Sequence, residues 1–264
     1  MKKFVKILSI VMVIALAATI FCSCEKTDAN NATQGDAATN EAVTADNKLI
    51  MGTNAAFPPY EYYEGDKIVG IDAEVGALIA EKLGMEFEIK DMDFNGIISA
   101  VENGVIDIGM AGMTVTDERL LQVDFSTSYA TGIQVVIVKA DSGISSLDDL
   151  SGKMIGVQEA TTGDIYSTDD FGEENVKRYQ NGAAAVAALQ SGIVDAVIID
   201  NEPAKAFVAQ NDGLTILETA YAEEDYAIAV AKNNTELLEK INAALAELTA
   251  DGSIDEIVNK YIPA

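Results

Sequence analysis

Histidine is absent from this 264-residue chain. That removes histidine-based catalytic triads and most zinc sites. Cysteine is nearly absent: Cys22 and Cys24 are the two present, both near the N-terminus. The chain beyond them can hold neither a disulfide nor a thiolate metal site. Basic residues are scarce, 17 against 43 acidic ones, for a net charge of -26. A nucleic-acid partner needs a basic face, and this composition argues against one. The acid excess accounts for solubility and for repulsion from anionic surfaces. What remains is a chain long enough for one large or two small α/β domains with a real core.

One long apolar run is present, over residues 7–21, preceded by Lys2, Lys3 and Lys6. It is short for a membrane-spanning helix and suits the apolar part of an export signal spanning 1–24. The run ends Phe21-Cys22-Ser23-Cys24, which resembles a bacterial lipobox. The resemblance implies cleavage before a cysteine that then carries lipid. Cys24 is the better acceptor than Cys22, because small Ser23 precedes it, although Phe21 stands where such motifs usually carry leucine. A plain secretory signal or an uncleaved anchor is the alternative. Residues 25–47 carry almost no large apolar side chains. Such a stretch cannot offset its ordering entropy and is expected to be a disordered tether.

From Lys48 onward, β-prone and helical patterns alternate. Strands are expected at 49–52, 86–90, 105–108, 132–138, 153–157, 175–179, 193–199 and 226–230. Helices are expected at 72–83, stopped by Gly84, at 95–103, at 181–190 and from 202. Two further helices follow, the first carrying Leu237, Ile241, Leu245 and Leu248 on one stripe, the second over 254–261. Residues 54–63 are expected to form a Pro-containing aromatic loop, with Phe57 or Tyr60 as an apolar pocket wall. A helix between Asn95-Gly96 and Asn103-Gly104, leading into Asp107, is echoed between Asn181-Gly182 and Ser191-Gly192, leading into Asp195. The pattern is one device used in two lobes, which makes Asp107 and Asp195 structural. Alternating strands and helices predict parallel sheets covered on both faces, with ligands outside the strands' carboxyl ends.

The stretch GMAGMTVTDER, residues 109–119, concentrates the chemistry. A strand end and a Gly-containing loop lead to Thr116 as N-cap, with Asp117 and Glu118 in a first helical turn. Arg119 then lies near free backbone N–H groups, a setting that suits a bound anion. Arginine can grip a carboxylate through two parallel hydrogen bonds. The alternative is a surface ion pair. Asp200, at the end of another strand, offers an anionic niche or serves as a helix N-cap. Arg119 and Asp200 facing each other across a cleft would match a zwitterion, an α-amino acid. Paired carboxylates for acid–base catalysis are the rival use.

GMAGMTVTDERLLQVDFSTSY, GTNAAFPPYEY, GIDAEVGALIAEKLG, VQEATTGD and AVIID together resemble the polar amino-acid solute-binding proteins of ABC transporters. The resemblance covers residues 48–264. It implies a two-lobed type II periplasmic-binding-protein fold, with two doubly wound α/β sheets joined by two hinge strands. Lobe 1 would take about 48–130 and 227–264, and lobe 2 about 134–223. Arg119 would clamp the ligand carboxylate beside Gly112 and Thr114. Asp200 would take the ammonium, Thr162 would contribute from the opposite lobe, and Phe57 and Phe94 would sandwich the side chain. Ala111 and Gly112 stand where some members have serines, so contacts there would come from backbone groups. Asn54 stands where several members that bind cationic side chains have Asp, which favours a neutral polar ligand such as glutamine or cystine. Gln158 and Glu61 could reach a polar terminus. The resemblance further implies a monomeric, extracytoplasmic, lipid-anchored binder with no cofactor or metal, delivering an amino acid to a permease and its ATPase. An enzyme on the same fold, such as a dehydratase of a cyclic acid, and a ligand-sensing receptor module are the alternatives.

Overall fold

The computed structural model describes residues 47–263. The expected export signal, its acceptor Cys24 and the tether through residue 46 lie outside the described residues.

The chain opens with β1 (Lys48–Thr53). The expected aromatic loop is instead a small meander of β2 (Ala56–Phe57), β3 (Glu61–Glu64) and β4 (Lys67–Val69). Its strands have only two to four residues, too few to show an alternating pattern. Helix α1 (Ile71–Leu83) follows and ends at left-handed Gly84. Its Val75 and Ile79 are fully buried, each contributing about 1.5–3 kcal/mol. Then come β5 (Glu86–Asp91), α2 (Phe94–Glu102), β6 (Ile108–Gly109), α3 (Asp117–Leu120) and β7 (Val123–Phe125).

The second half begins with the long strand β8 (Ala130–Lys139). It continues through β9 (Ile155–Gln158), α4 (Thr162–Phe171), β10 (Val176–Tyr179), α5 (Gly182–Gln190), β11 (Ala196–Asp200) and α6 (Asn201–Gln210). The chain finishes with β12 (Leu214–Ile216), β13 (Ala222–Tyr226), β14 (Ala229–Ala231), α7 (Thr235–Ala250) and α8 (Ser253–Tyr261). Leu237, Ile241, Leu245 and Leu248 all lie on α7 and pack into the core, as the stripe requires.

Two mixed sheets result, ordered β5-β1-β6-β14-β7 and β10-β9-β11-β8-β12, with β13 beside β8. The expected parallel pairing joins β1 to β5 and β6, and β9 to β10 and β11, but does not extend through either sheet. β14 runs antiparallel to β6 and β7, and β8 runs antiparallel to β11, β12 and β13. These strands arrive directly from the other sheet, without the crossover helix that parallel pairing demands. The strand expected over 226–230 is split for the same reason: β13 ends in one sheet and β14 begins in the other. The two crossings lie side by side. The amide of Ser126 donates to the carbonyl of Ile228 at 2.9 Å, and that of Tyr129 to Tyr226 at 3.0 Å.

The repeated device is present in both sheets, in shorter form than expected. Asp107 Oδ2 accepts from the amide of Ile50 at 2.7 Å, and Asp195 Oδ2 from that of Met154 at 2.8 Å. Each carboxylate pins its loop to the neighbouring chain, to Ile50 on β1 and to Met154 just before β9, and the strands begin only after it, at Ile108 and Ala196.

Candidate functional site

The carboxyl ends of β1, β6, β9 and β11 converge on one cavity, as an open α/β sheet dictates. All nine expected ligand residues line it: Asn54, Phe57, Phe94, Gly112, Thr114, Arg119, Gln158, Thr162 and Asp200. The cavity is narrow, with about 20 Å³ open to the centre of a water molecule. Bonds between the two sheets' loops hold it so. Gln158 Nε2 donates to Asn54 Oδ1 at 3.1 Å, Asn95 Nδ2 to Glu159 at 3.2 Å, and Gln180 Nε2 to Asp93 at 2.6 Å.

Arg119 is positioned by Thr116, whose hydroxyl oxygen accepts from the Arg119 amide at 3.2 Å as N-cap of α3. The side chain then turns inward and is only 6% exposed. One guanidinium nitrogen donates to the carbonyl of Thr114 at 2.6 Å, and another to that of Ala160 at 3.0 Å. The cation also stacks over Phe94, 5.3 Å from the ring centre. The surface ion pair does not form: Arg119 takes part in none of the ion pairs of the described residues. Burial lowers its pKa, and the nearby Glu224 is the largest opposing influence.

Asp200 sits at the N-cap position of α6, yet its side chain makes no capping bond. Instead Oδ2 accepts from Gln134 Nε2 at 2.8 Å, and Oδ1 accepts from the Tyr226 hydroxyl. Burial, then the Glu224 carboxylate, push its pKa from 3.8 up to about 7. Thr162 follows the N-cap Thr161 at the start of α4 and is buried.

Phe57 forms an apolar wall, and Tyr60 lies behind it, packed edge-on against Tyr226. Gly112 has φ +53°, and a Cβ there would meet Phe57 Cε1 at 2.8 Å. Only glycine allows that close approach. The Gly112 amide is already given to Asp72 Oδ2 at 2.8 Å, so this glycine shapes the wall while its N–H holds Asp72.

Glu61, on β3, lines the same cavity and is 1% exposed. Neither carboxylate oxygen meets a donor. Burial, then the charge of Asp72, raise its pKa well above the carboxylate range. Asp72, hydrogen-bonded to Tyr129 at 2.8 Å, is itself raised by burial to about 6. Burial and the Asp72 charge both favour the protonated form of Glu61, and its two oxygens stay without a hydrogen-bond partner.

Sequence reasoning passed over Gln134, Glu224 and Tyr226. Their signals were available: Gln134 is a polar residue within the apolar run of β8, and Glu224 and Tyr226 share one face of β13 by strand periodicity. Among the described residues, no group of three or more Cys, Asp or Glu is arranged to hold a metal ion.

Two sheets, two adjacent crossings and a cleft carrying a buried cation on one side and a buried anion on the other define a two-lobed receptor for a small charged solute. The chain belongs to the bacterial extracellular solute-binding proteins, family 3, whose model matches residues 49–264. It is 38% identical over 218 residues to the arginine-binding extracellular protein ArtP of Bacillus subtilis (strain 168), covering 81% of this chain and 86% of that one. An ancestral arginine-binding protein bound to glutamine matches with TM-score 0.78 and 44% identity, over 83% of this chain and 99% of that one. An ancestral arginine-binding protein bound to arginine matches with TM-score 0.76 and 45% identity, over 82% and 98%. Family membership decides against the enzyme alternative: this is a binding protein.

Proposed function

We propose that the chain captures an L-α-amino acid outside the cytoplasm and hands it to the permease of an ABC transporter. One observation carries this reading: Arg119 and Asp200, both buried, face one cavity from different sheets. A zwitterion complements both. Charge-assisted hydrogen bonds to such groups contribute roughly 1.5–3 kcal/mol each. The narrow cavity supports entry by hinge motion at the two crossings, with lobe 1 taking about 48–130 and 227–264 and lobe 2 about 134–223. A ligand that bridges the lobes makes all its contacts only in the closed state and shifts the population toward it.

For the side chain, the proposed ligand is arginine. Asn54 by itself favoured a neutral polar ligand. Glu61 changes the balance, because a guanidinium would pair both of its unpartnered oxygens at once. Phe57 and Phe94 suit a flat cationic group, and the arginine-binding relatives agree. Glutamine is the second reading, supported by the Asn54–Gln158 amide pair. Lipid attachment at Cys24, with residues 25–47 as tether, completes the proposal.

The test is a thermal-shift screen of purified protein, unfolded and refolded to strip bound ligand, against the common amino acids. A ligand at about 1,000 times its dissociation constant adds roughly 4 kcal/mol, on the order of 8–16 °C for this size. A shift of that size with L-arginine or L-glutamine is expected. No shift with any α-amino acid would overturn the reading.

A further inference from the structure

We infer that Glu224 is a second anionic acceptor for the ligand's α-ammonium, acting beside Asp200 from the strand that crosses between the lobes. The inference rests on the amino-acid reading above and deepens it.

Glu224 lies on β13, paired with Gly132 of β8. Strand alternation turns Glu224 and Tyr226 inward and leaves Glu223 and Asp225 exposed. Glu224 is 5% exposed. Its Oε2 accepts from the Thr114 hydroxyl at 3.0 Å and from Gln134 Nε2 at 3.0 Å. That same Gln134 nitrogen donates to Asp200 Oδ2 at 2.8 Å. One amide thus ties two buried carboxylates together, near enough for their charges to repel.

The pair has no cation of its own, since neither Glu224 nor Asp200 joins an ion pair among the described residues. Arg119 is the cation nearest in influence, but its bonds go to backbone carbonyls. The remaining titratable neighbours, Tyr166, Tyr226, Tyr60 and Glu61, supply no positive charge. Two acceptor oxygens stay buried without a donor: Glu224 Oε1 and Gln134 Oε1. Buried polar atoms are rarely left so. An ammonium brings one positive charge and three donors. It would answer both orphaned oxygens and relieve the repulsion with Asp200.

A purely structural Glu224 would only staple Thr114 to Gln134, and a neutral glutamine would serve as well. The discriminating experiment is Glu224→Gln, which keeps the acceptor and removes the charge. Calorimetry would compare L-arginine with 5-guanidinopentanoate, the same molecule without its ammonium. Wild-type protein is expected to prefer L-arginine strongly. In Glu224→Gln, L-arginine should weaken about tenfold or more, while the des-amino analogue binds unchanged or better. Glu224→Asp should retain the preference for the ammonium, which guards against a folding defect. An unchanged L-arginine affinity, or an equal loss for both probes, overturns the inference and leaves the transport reading standing. If wild type binds L-glutamine instead, the same comparison runs with L-glutamine and glutaramate. If it binds a different α-amino acid, the comparison runs with that one and its des-amino analogue; wild-type protein that binds no α-amino acid overturns both readings.

Discussion

Replacing Arg119 with lysine keeps the positive charge and removes the planar fork. In the structure that fork already spends two donors, on the carbonyls of Thr114 at 2.6 Å and Ala160 at 3.0 Å, and the guanidinium rests on Phe94 at 5.3 Å. A lysine has three donors on a single nitrogen and cannot reach both carbonyls while presenting two parallel bonds to a carboxylate. The variant should therefore lose one charge-assisted bond to the ligand, about 1.5–3 kcal/mol, or about 10–150-fold in Kd. Isothermal titration with L-arginine measures this. Agmatine, which is arginine without its carboxylate, supplies the control: its affinity should hardly change, because it never used the fork. If agmatine weakens as much as L-arginine, Arg119 is not reading the carboxylate, and its role is to hold Thr114 and Ala160 together.

Proton linkage separates the two candidate ligands. Glu61 and Asp200 both have raised pKa values in the ligand-free protein, so pairing with a guanidinium or an ammonium should expel protons. L-Arginine affinity should rise with pH until Glu61 ionises, and calorimetry in buffers of different ionisation heat should count more protons released for arginine than for glutamine. Glu61→Gln should abolish that difference; a difference that survives the substitution rules out Glu61 as the guanidinium partner. The same groups set stability. Asp72 and Asp200 titrate near 6 and 7 when folded against 3.8 ordinarily. Their stabilising contribution is present below about pH 4 and is lost as pH rises through about 7, so thermal melts of ligand-free protein should fall between pH 5 and 8. Finally, Asp107→Ala should cost about 1–3 kcal/mol in denaturant unfolding by orphaning the part-buried amide of Ile50, and Asp195→Ala, whose bond to the Met154 amide is exposed, about 0.5–1.5 kcal/mol, with ligand affinity unchanged in both. A large affinity loss in either would show that the turn also positions the site.

The binding stretch was legible for physical reasons. Thr116, Asp117, Glu118 and Arg119 encode a cap and a first turn locally, and that turn brings the arginine to the cleft, where Ala160 and Phe94 then hold it. Asn54 and Gln158 sit at strand ends, where side chains point out of a sheet into a cleft, and Gly112 lies in the loop just beyond β6. The small meander was not legible, because β2 has two residues and β4 three, too few for a period to show. Strand direction was also hidden. Hydrophobic runs at 132–138 and 226–230 look alike whether a strand pairs with its sequence neighbour or crosses into another sheet.

By itself the sequence determined the alternation of helices and strands, the repeated aspartate turn, the acidic surface and the residue types available at the strand ends, because each depends on neighbours within a few positions. The tertiary structure decided what those residues became. It brought Glu224 and Gln134 from separate strands onto Asp200, buried Glu61 against Asp72, and turned Asp200 away from its capping role toward Tyr226. Those pairings join residues up to 90 positions apart and exist only once β8, β11 and β13 lie in one sheet and β3 packs against α1 along the cleft. The electric field inside such a cleft belongs to the fold, since burial strengthens charges that water would otherwise screen.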